Sequence, residues 1–223
     1  MGSDKAYEAV TRAKNQDSGG NPEGAVKTLE DYLVTDPHNT YVRMELARIL
    51  TYSLENKQQG LFQLQVVLDI EPDNIDALKA STTVKSVIRE RASEADAEFR
   101  HLIDMVYSRG DKAEYASVCA AYAIFLRKQM RDYQAAGDYY EKAVTADPDR
   151  YEYHQDYAVL LLNEYRDYPK ARHELEEVLR LKPNHLSAKK NLDKLVRTKF
   201  DSDGNVKLSF VEKMALRKQK KSE

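Results

Sequence analysis

The sequence contains no tryptophan, one cysteine, eight glycines and six prolines among its 223 residues. A single cysteine, Cys119, excludes a disulfide within the chain. Its apolar neighbours in SVCAAYAIFL predict a buried thiol that packs in a core rather than a reactive one. Because sandwiches and barrels need many turns, so few glycines and prolines argue against them and favour a helical protein.

Neither sign of charge is in large excess, since 35 Lys or Arg residues stand beside 37 Asp or Glu residues for a net charge of −2. A chain so close to neutral has no overall field that would favour nucleic acid. It also lacks a run of about 18 apolar residues, so no membrane-spanning helix is predicted. The first ten residues, MGSDKAYEAV, lack the apolar core of a signal peptide, and the cytoplasm is the expected compartment.

Signatures of catalysis are missing as well. The five histidines are scattered, and no two have the spacing of a zinc-binding helix. The sequence has neither a glycine-rich phosphate loop nor a nucleophile elbow. We therefore predict that the protein is not an enzyme.

What the chain does have is an internal repeat of 35 residues. The segment YAIFLRKQMRDYQAA, from Tyr122, aligns with YAVLLLNEYRDYPKA, from Tyr157. Prolines close the units at Pro37, Pro72, Pro148 and Pro183. The interval between the second and third of these prolines holds one further unit with about six extra residues, near YSRGDKAEY. A fixed period near 34 predicts stacked helical hairpins.

These units resemble the tetratricopeptide repeat family. That family has a small residue midway along the first helix of each hairpin, an alanine and a large apolar residue on the second helix, and a proline after it. The last two units have Ala123, Ala136, Tyr140 and Pro148, then Ala158, Ala171, Leu175 and Pro183. Earlier units have Ala25 and Leu29, after a long loop NQDSGGNPEG, then Ala47, Gly60 and Leu64, then Thr82, Ala95 and Phe99.

The resemblance implies an all-α, right-handed solenoid of about five helical hairpins. We assign the repeat array to residues 5–187 and a C-terminal capping segment to residues 188–220. Most units carry one residue more between their helices than the family does. The lysine-rich NHLSAKKNLDKLVRTKF is predicted to form a capping helix with a water-facing outer side.

The resemblance also implies a scaffold or adaptor whose first helices line a groove for a segment of a partner protein. The predicted groove residues are Tyr41, Met44, Arg48, Lys79, Arg127, Lys128 and Gln155. Taken one at a time, each is more simply a solvated surface residue. A calcium-responsive regulatory module and a self-associating structural protein are the alternatives.

The calcium alternative rests on DSDGNVKLSFVE, which resembles the loop of an EF-hand. Its candidate Ca²⁺ ligands are Asp201, Asp203, Asn205, Lys207 through its carbonyl, Ser209 and Glu212. The sixth position should be glycine but is Val206, and a β-branched residue at positive φ costs on the order of 1–3 kcal/mol. A calcium site, a hand that keeps its shape without the ion, and a coincidental polar turn all stay open. The final LRKQKKSE is basic, either as a solvated tail or as a contact for an acidic partner or membrane surface.

Overall fold

The computed structural model describes residues 2–207, and the side chains from residue 5 onward. This part of the chain contains eleven α-helices and no strand, apart from an isolated antiparallel bridge between Phe200 and Val206. The helices are α1 Gly2–Ser18, α2 Pro22–Thr35, α3 Thr40–Arg48, α4 Lys57–Ile70, α5 Ile75–Ser86, α6 Ala92–Ser108, α7 Lys112–Phe125, α8 Tyr133–Ala146, α9 Tyr151–Leu160, α10 Tyr168–Leu181 and α11 Leu186–Lys199. None of these helices combines the length and apolar character needed to cross a membrane.

Successive helices pair as hairpins within two compact units, residues 1–110 and the residues from 111 onward. The first unit contains the hairpins α1–α2, α3–α4 and α5–α6, and each helix packs on the next. The second contains α7–α8 and α9–α10, followed by α11 against α10. The predicted five hairpins and final capping helix are confirmed.

Most helices begin at a side chain that caps the backbone. Eight such side chains accept a hydrogen bond of 2.9–3.1 Å from the N–H three residues later, namely those of Asn21, Asn39, Asn56, Asn74, Asp111, Asp132, Asp167 and His185. These bonds satisfy N–H groups that the first helical turn leaves unpaired. Arg150, before α9, has an extended backbone (φ −94°, ψ 96°) like that of Asn39 and Asn74, but its side chain makes no capping bond.

The extra residue of the 35-residue period lies in a widened turn at the end of a hairpin's first helix. Three helices continue into π-helical turns, at Ile49–Ser53, Leu126–Met130 and Leu161–Tyr165. A π turn takes up an additional residue without ending the helix. Arg131 and Arg166, which follow the last two turns, adopt left-handed backbone at φ 56° and let the chain enter the second helix.

The core follows the repeat register. The small residues of the last two hairpins are completely buried, as is Tyr140. Cys119 is also buried, and burial raises the pKa of its thiol to about 11, in keeping with a packing role.

The loop before α2 and the insertion before α7 differ in extent from what the sequence predicted. The long loop expected before α2 is short, because α1 extends to Ser18 and only three residues separate it from α2. The insertion near YSRGDKAEY lies partly in α6, which has 17 residues where α4 and α8 each have 14.

Candidate functional site

A cleft of about 270 Å³ opens between α3, the turn after it and α5 in the first unit. It contains three of the predicted groove residues, Tyr41, Met44 and Arg48. We call it the α3–α5 cleft, and its remaining lining is Glu45, Ala47, Thr51, Tyr52, Leu64, Ala80 and Val84. The buried lining combines the aliphatic side chains of Ala47, Leu64 and Val84 with the polar side chains of Glu45 and Thr51. The lining is aromatic at the surface, where Tyr41 is 48% exposed and Tyr52 61%. Lys79 is next to Ala80 on α5 but does not line the cleft.

The rim of the cleft carries an ion-pair network that makes it close to neutral. The Arg48 guanidinium donates to Glu45 Oε1 at 2.8 Å and to Asp17 Oδ2 at 2.7 Å. Lys14 lies 3.8 Å from the second oxygen of Glu45. The bond from Arg48 holds the pKa of Asp17 below its usual value. Arg48 was predicted as a groove residue, and in the structure two carboxylates of this chain bind its guanidinium.

A close helix approach shapes the inner end of the cleft. A Cβ at Gly60 would lie 2.0 Å from Thr51 Oγ1 and 3.1 Å from the Ala47 carbonyl oxygen, so only glycine lets α4 pack here without a shift. Thr51 is buried, and its hydroxyl has no hydrogen-bond partner among the described residues. Gly60 therefore fixes the position of the turn that carries the exposed Tyr52.

The other three predicted groove residues lie in the second unit. Arg127 and Lys128 are in the turn after α7, and Gln155 is on α9. The neighbouring Asp156 is partly buried, which raises its pKa, and the charges of Arg127 and Lys128 offset this only in part. Burial raises the pKa of Tyr140 to about 12. We call Arg127, Lys128, Gln155 and Asp156 the α7–α9 patch.

A buried pair of a histidine and a glutamate connects α9 to α10 in the second unit. His154 Nδ1 lies 2.6 Å from Glu174 Oε2, and its Nε2 lies 2.9 Å from the carbonyl oxygen of Pro148. Both partners are acceptors, so the doubly protonated ring satisfies both. Burial alone would lower the pKa of His154, but the bonds to Glu174 and Pro148 outweigh it and the pKa is raised. Neither residue stood out in the sequence.

A second buried polar group lies between α5 and α6. Lys85 is 7% exposed and hydrogen bonds to Glu98, with Glu94 3.7 Å away. The hydroxyls of Ser81 and Thr82 lie 3.3 Å and 3.1 Å from the same Glu98 carboxylate. These groups satisfy one another, so they stabilise the hairpin and offer no reactive side chain.

Only the first half of the EF-hand-like loop is described. Asp201 Oδ1 accepts the N–H groups of Asp203 (3.0 Å) and Asn205 (2.9 Å). Positive φ falls at Gly204 (81°), the fourth position, whereas Val206 pairs with Phe200, so the strain expected at Val206 is not present. Lys207 N–H donates to the Lys199 carbonyl at 2.7 Å.

The rest of that loop, with Ser209 and Glu212, lies outside the described residues. Within the described ones, no three His, Cys, Asp or Glu side chains are close enough together to hold a metal ion. Calcium binding stays a prediction.

This architecture is similar to that of several solved structures, although comparisons of the sequence alone find no relative. No protein-family model matches the sequence. The search of curated proteins gave no match either. Solved structures do match, among them PilF of Pseudomonas aeruginosa, with a TM-score of 0.69 and 18% identity over 88% of this chain and 85% of that one. MamA from Desulfovibrio magneticus RS-1 matches with a TM-score of 0.66 and 17% identity, over 82% of this chain and 98% of that one.

A third structure is YrrB, described as a TPR protein with an unusual peptide-binding site. It matches with a TM-score of 0.60 and 15% identity, over 83% of this chain and 90% of that chain. The fold is that of the tetratricopeptide repeat. At these identities the likeness establishes the fold, and the function has to be argued from the residues of this chain.

Proposed function

We propose that this protein is a non-catalytic interaction scaffold that binds a segment of a partner protein in the α3–α5 cleft. The observation that carries the proposal is the cleft itself, which combines the buried aliphatic side chains of Ala47, Leu64 and Val84 with two tyrosines left largely exposed at its mouth. Exposed aromatic side chains beside an apolar cavity are typical of interaction sites. YrrB, which has the same fold, is described as having a peptide-binding site.

The lining indicates what kind of segment fits. A volume of about 270 Å³ accommodates one large apolar side chain rather than a whole helix. The rim offers no uncompensated charge, because Arg48 and Lys14 are matched by Glu45 and Asp17. We therefore expect a partner segment with an aliphatic or aromatic anchor and no requirement for an acidic neighbour.

The α7–α9 patch is proposed as a second contact for partner segments. Lys128 is exposed beside the partly buried Asp156, and Gln155 adds an amide. Polar groups of this kind contribute orientation more than affinity. The substitution Lys128→Glu should then lower the affinity for a partner segment less than the cleft substitution Ala80→Phe does.

Selection of peptides from a random library on the purified full chain tests the proposal. We expect enriched peptides to share an apolar anchor and to lose at least about tenfold in affinity with Ala80→Phe, which fills the cleft. The matched control is Ala97→Phe, the same change at an exposed position of α6. Circular dichroism verifies that both variants fold. If no peptide is enriched, or if Ala80→Phe binds the peptides as the wild type does, the proposal is wrong.

A further inference from the structure

The charge of this chain is divided unequally along its length. Residues 1–181 contain 23 Lys or Arg and 32 Asp or Glu, a net −9. Residues 182–223 contain 12 Lys or Arg and 5 Asp or Glu, a net +7. The near-neutral total therefore conceals a strongly basic C-terminal part, and α11 is its described helix.

Most of the cations of α11 lie on one face. Leu186, Lys189, Lys190, Asp193, Lys194 and Arg197 follow one another at spacings of three and one residues and line a single shallow depression. We call these six residues the α11 stripe. It runs for about 16 Å along the helix, at roughly 1.5 Å per residue. The helix buries Ala188 and Leu195 instead and packs against α10.

Among the described residues, no carboxylate pairs with the cations of the α11 stripe. Lysine and arginine side chains on α3, α5, α6 and α10 form ion pairs with carboxylates. In the described part of the chain, no side-chain nitrogen of Lys189, Lys190, Lys194 or Arg197 has a hydrogen-bond or ion-pair partner. Asp193 forms no ion pair with any described side chain, although it is four residues from both Lys189 and Arg197. The described residues therefore leave these four cations unpaired on one face of α11.

We propose that the α11 stripe is a docking surface for an anionic lipid membrane. Clusters of four or more Lys or Arg on an amphipathic helix attract the acidic headgroups of a bilayer. The stripe is a face of a single helix without side walls, so it suits a broad surface better than a narrow acidic chain.

Leu186 favours a lipid membrane over a nucleic acid or an acidic peptide as the anionic partner. It is 82% exposed at the start of the same stripe, where a lipid interface would bury it and a nucleic acid or acidic peptide would not. The stripe also has no aromatic side chain on which a base could stack.

Co-sedimentation with vesicles tests this inference on the full chain. We expect binding to vesicles that contain phosphatidylserine and none to pure phosphatidylcholine, with binding that weakens as salt is added. Replacing Lys189, Lys190, Lys194 and Arg197 with Gln should lower the partition coefficient by roughly a thousandfold. Leu186→Gln should lower it severalfold.

The matched control replaces four exposed cations outside α11 with Gln, namely Lys5, Lys27, Lys57 and Lys112. It changes the net charge equally and should leave binding intact. The proposal is overturned if wild type ignores acidic vesicles, if both quadruple variants lose binding alike, or if the α11 variant binds as well as wild type. It is equally overturned if duplex DNA or poly-glutamate retains the protein under conditions where acidic vesicles do not.

Discussion

The first helix of the fifth hairpin, α9, lacks the side-chain cap that α3, α5 and α7 have, and this predicts a stabilising substitution. Asn39 and Asn74 occupy the same place before α3 and α5, and each accepts an N–H at 2.9–3.0 Å. Arg150 already has nearly the same extended backbone but has no acceptor in its side chain. Arg150→Asn should therefore supply a side-chain acceptor for the Tyr153 N–H, which in the wild type donates to the Arg150 carbonyl oxygen at 3.1 Å, without moving the chain.

The size of the gain follows from the two interactions that change. An Asn cap contributes about 1 kcal/mol relative to a residue that cannot cap. The substitution removes an exposed ion pair in which Arg150 Nε lies 3.6 Å from Asp147, and such pairs contribute at most about 0.5 kcal/mol. The net expectation is a rise of about 0.5–1 kcal/mol in the free energy of unfolding, or roughly 3 °C in Tm.

Thermal and urea unfolding followed by circular dichroism measure the change. Arg150→Ala is the control, because it loses the ion pair and gains no acceptor. We expect stability to decrease in the order Asn, Arg, Ala at position 150. Equal stability of the Asn and Ala variants would refute the claim that the backbone at position 150 lets an Asn side chain accept a hydrogen bond from the first turn of α9.

Three further predictions concern the second unit and the C-terminal loop. Because the folded-state pKa of His154 is raised, its contribution to stability is complete below the unfolded pKa of about 6.5 and is lost as pH rises through the folded value. The free energy of unfolding of the wild type should therefore fall as pH rises from about 6.5 through the folded-state pKa, and that of Glu174→Gln should change less. Parallel curves of unfolding free energy against pH for the two proteins would contradict this. Gly137→Ala should destabilise wild type, since its Cβ would lie 2.4 Å from the Tyr165 hydroxyl, yet stabilise a Tyr165→Ala background by about 1 kcal/mol through helix propensity. Chemical denaturation measures the change in the free energy of unfolding that Gly137→Ala causes in each background. A change of the same sign in both would rule out that contact. If the EF-hand-like loop binds calcium, calorimetry should show weak binding that Glu212→Gln abolishes; absence of heat at millimolar calcium excludes it.

The repeat architecture was predictable because its signals are periodic. Alanines and prolines recur every 35 residues, and each pair of helices has to stack on a neighbour to bury its apolar face. The sequence also indicated an extra residue between helices. It did not indicate that a π turn and a left-handed arginine would take up that residue, since nothing local distinguishes Arg131 from an ordinary surface residue.

The candidate site was predictable only in part. The repeat register placed Tyr41, Met44 and Arg48 on one predicted surface, and in the structure all three line one cleft. It could not show that Asp17, 31 residues earlier, neutralises Arg48, because that contact depends on α1 extending past the expected start of a loop. The His154–Glu174 pair was missed because its two side chains are 20 residues apart and meet only when α9 packs against α10.

Photo-crosslinking tests the central claim most directly. A photoreactive amino acid is placed at Tyr41, at the mouth of the α3–α5 cleft, and separately at Tyr107, which is 71% exposed on α6. A selected peptide should crosslink to the chain from position 41 and not from position 107. Equal crosslinking from both positions, or crosslinking from position 107 alone, would contradict binding in the cleft.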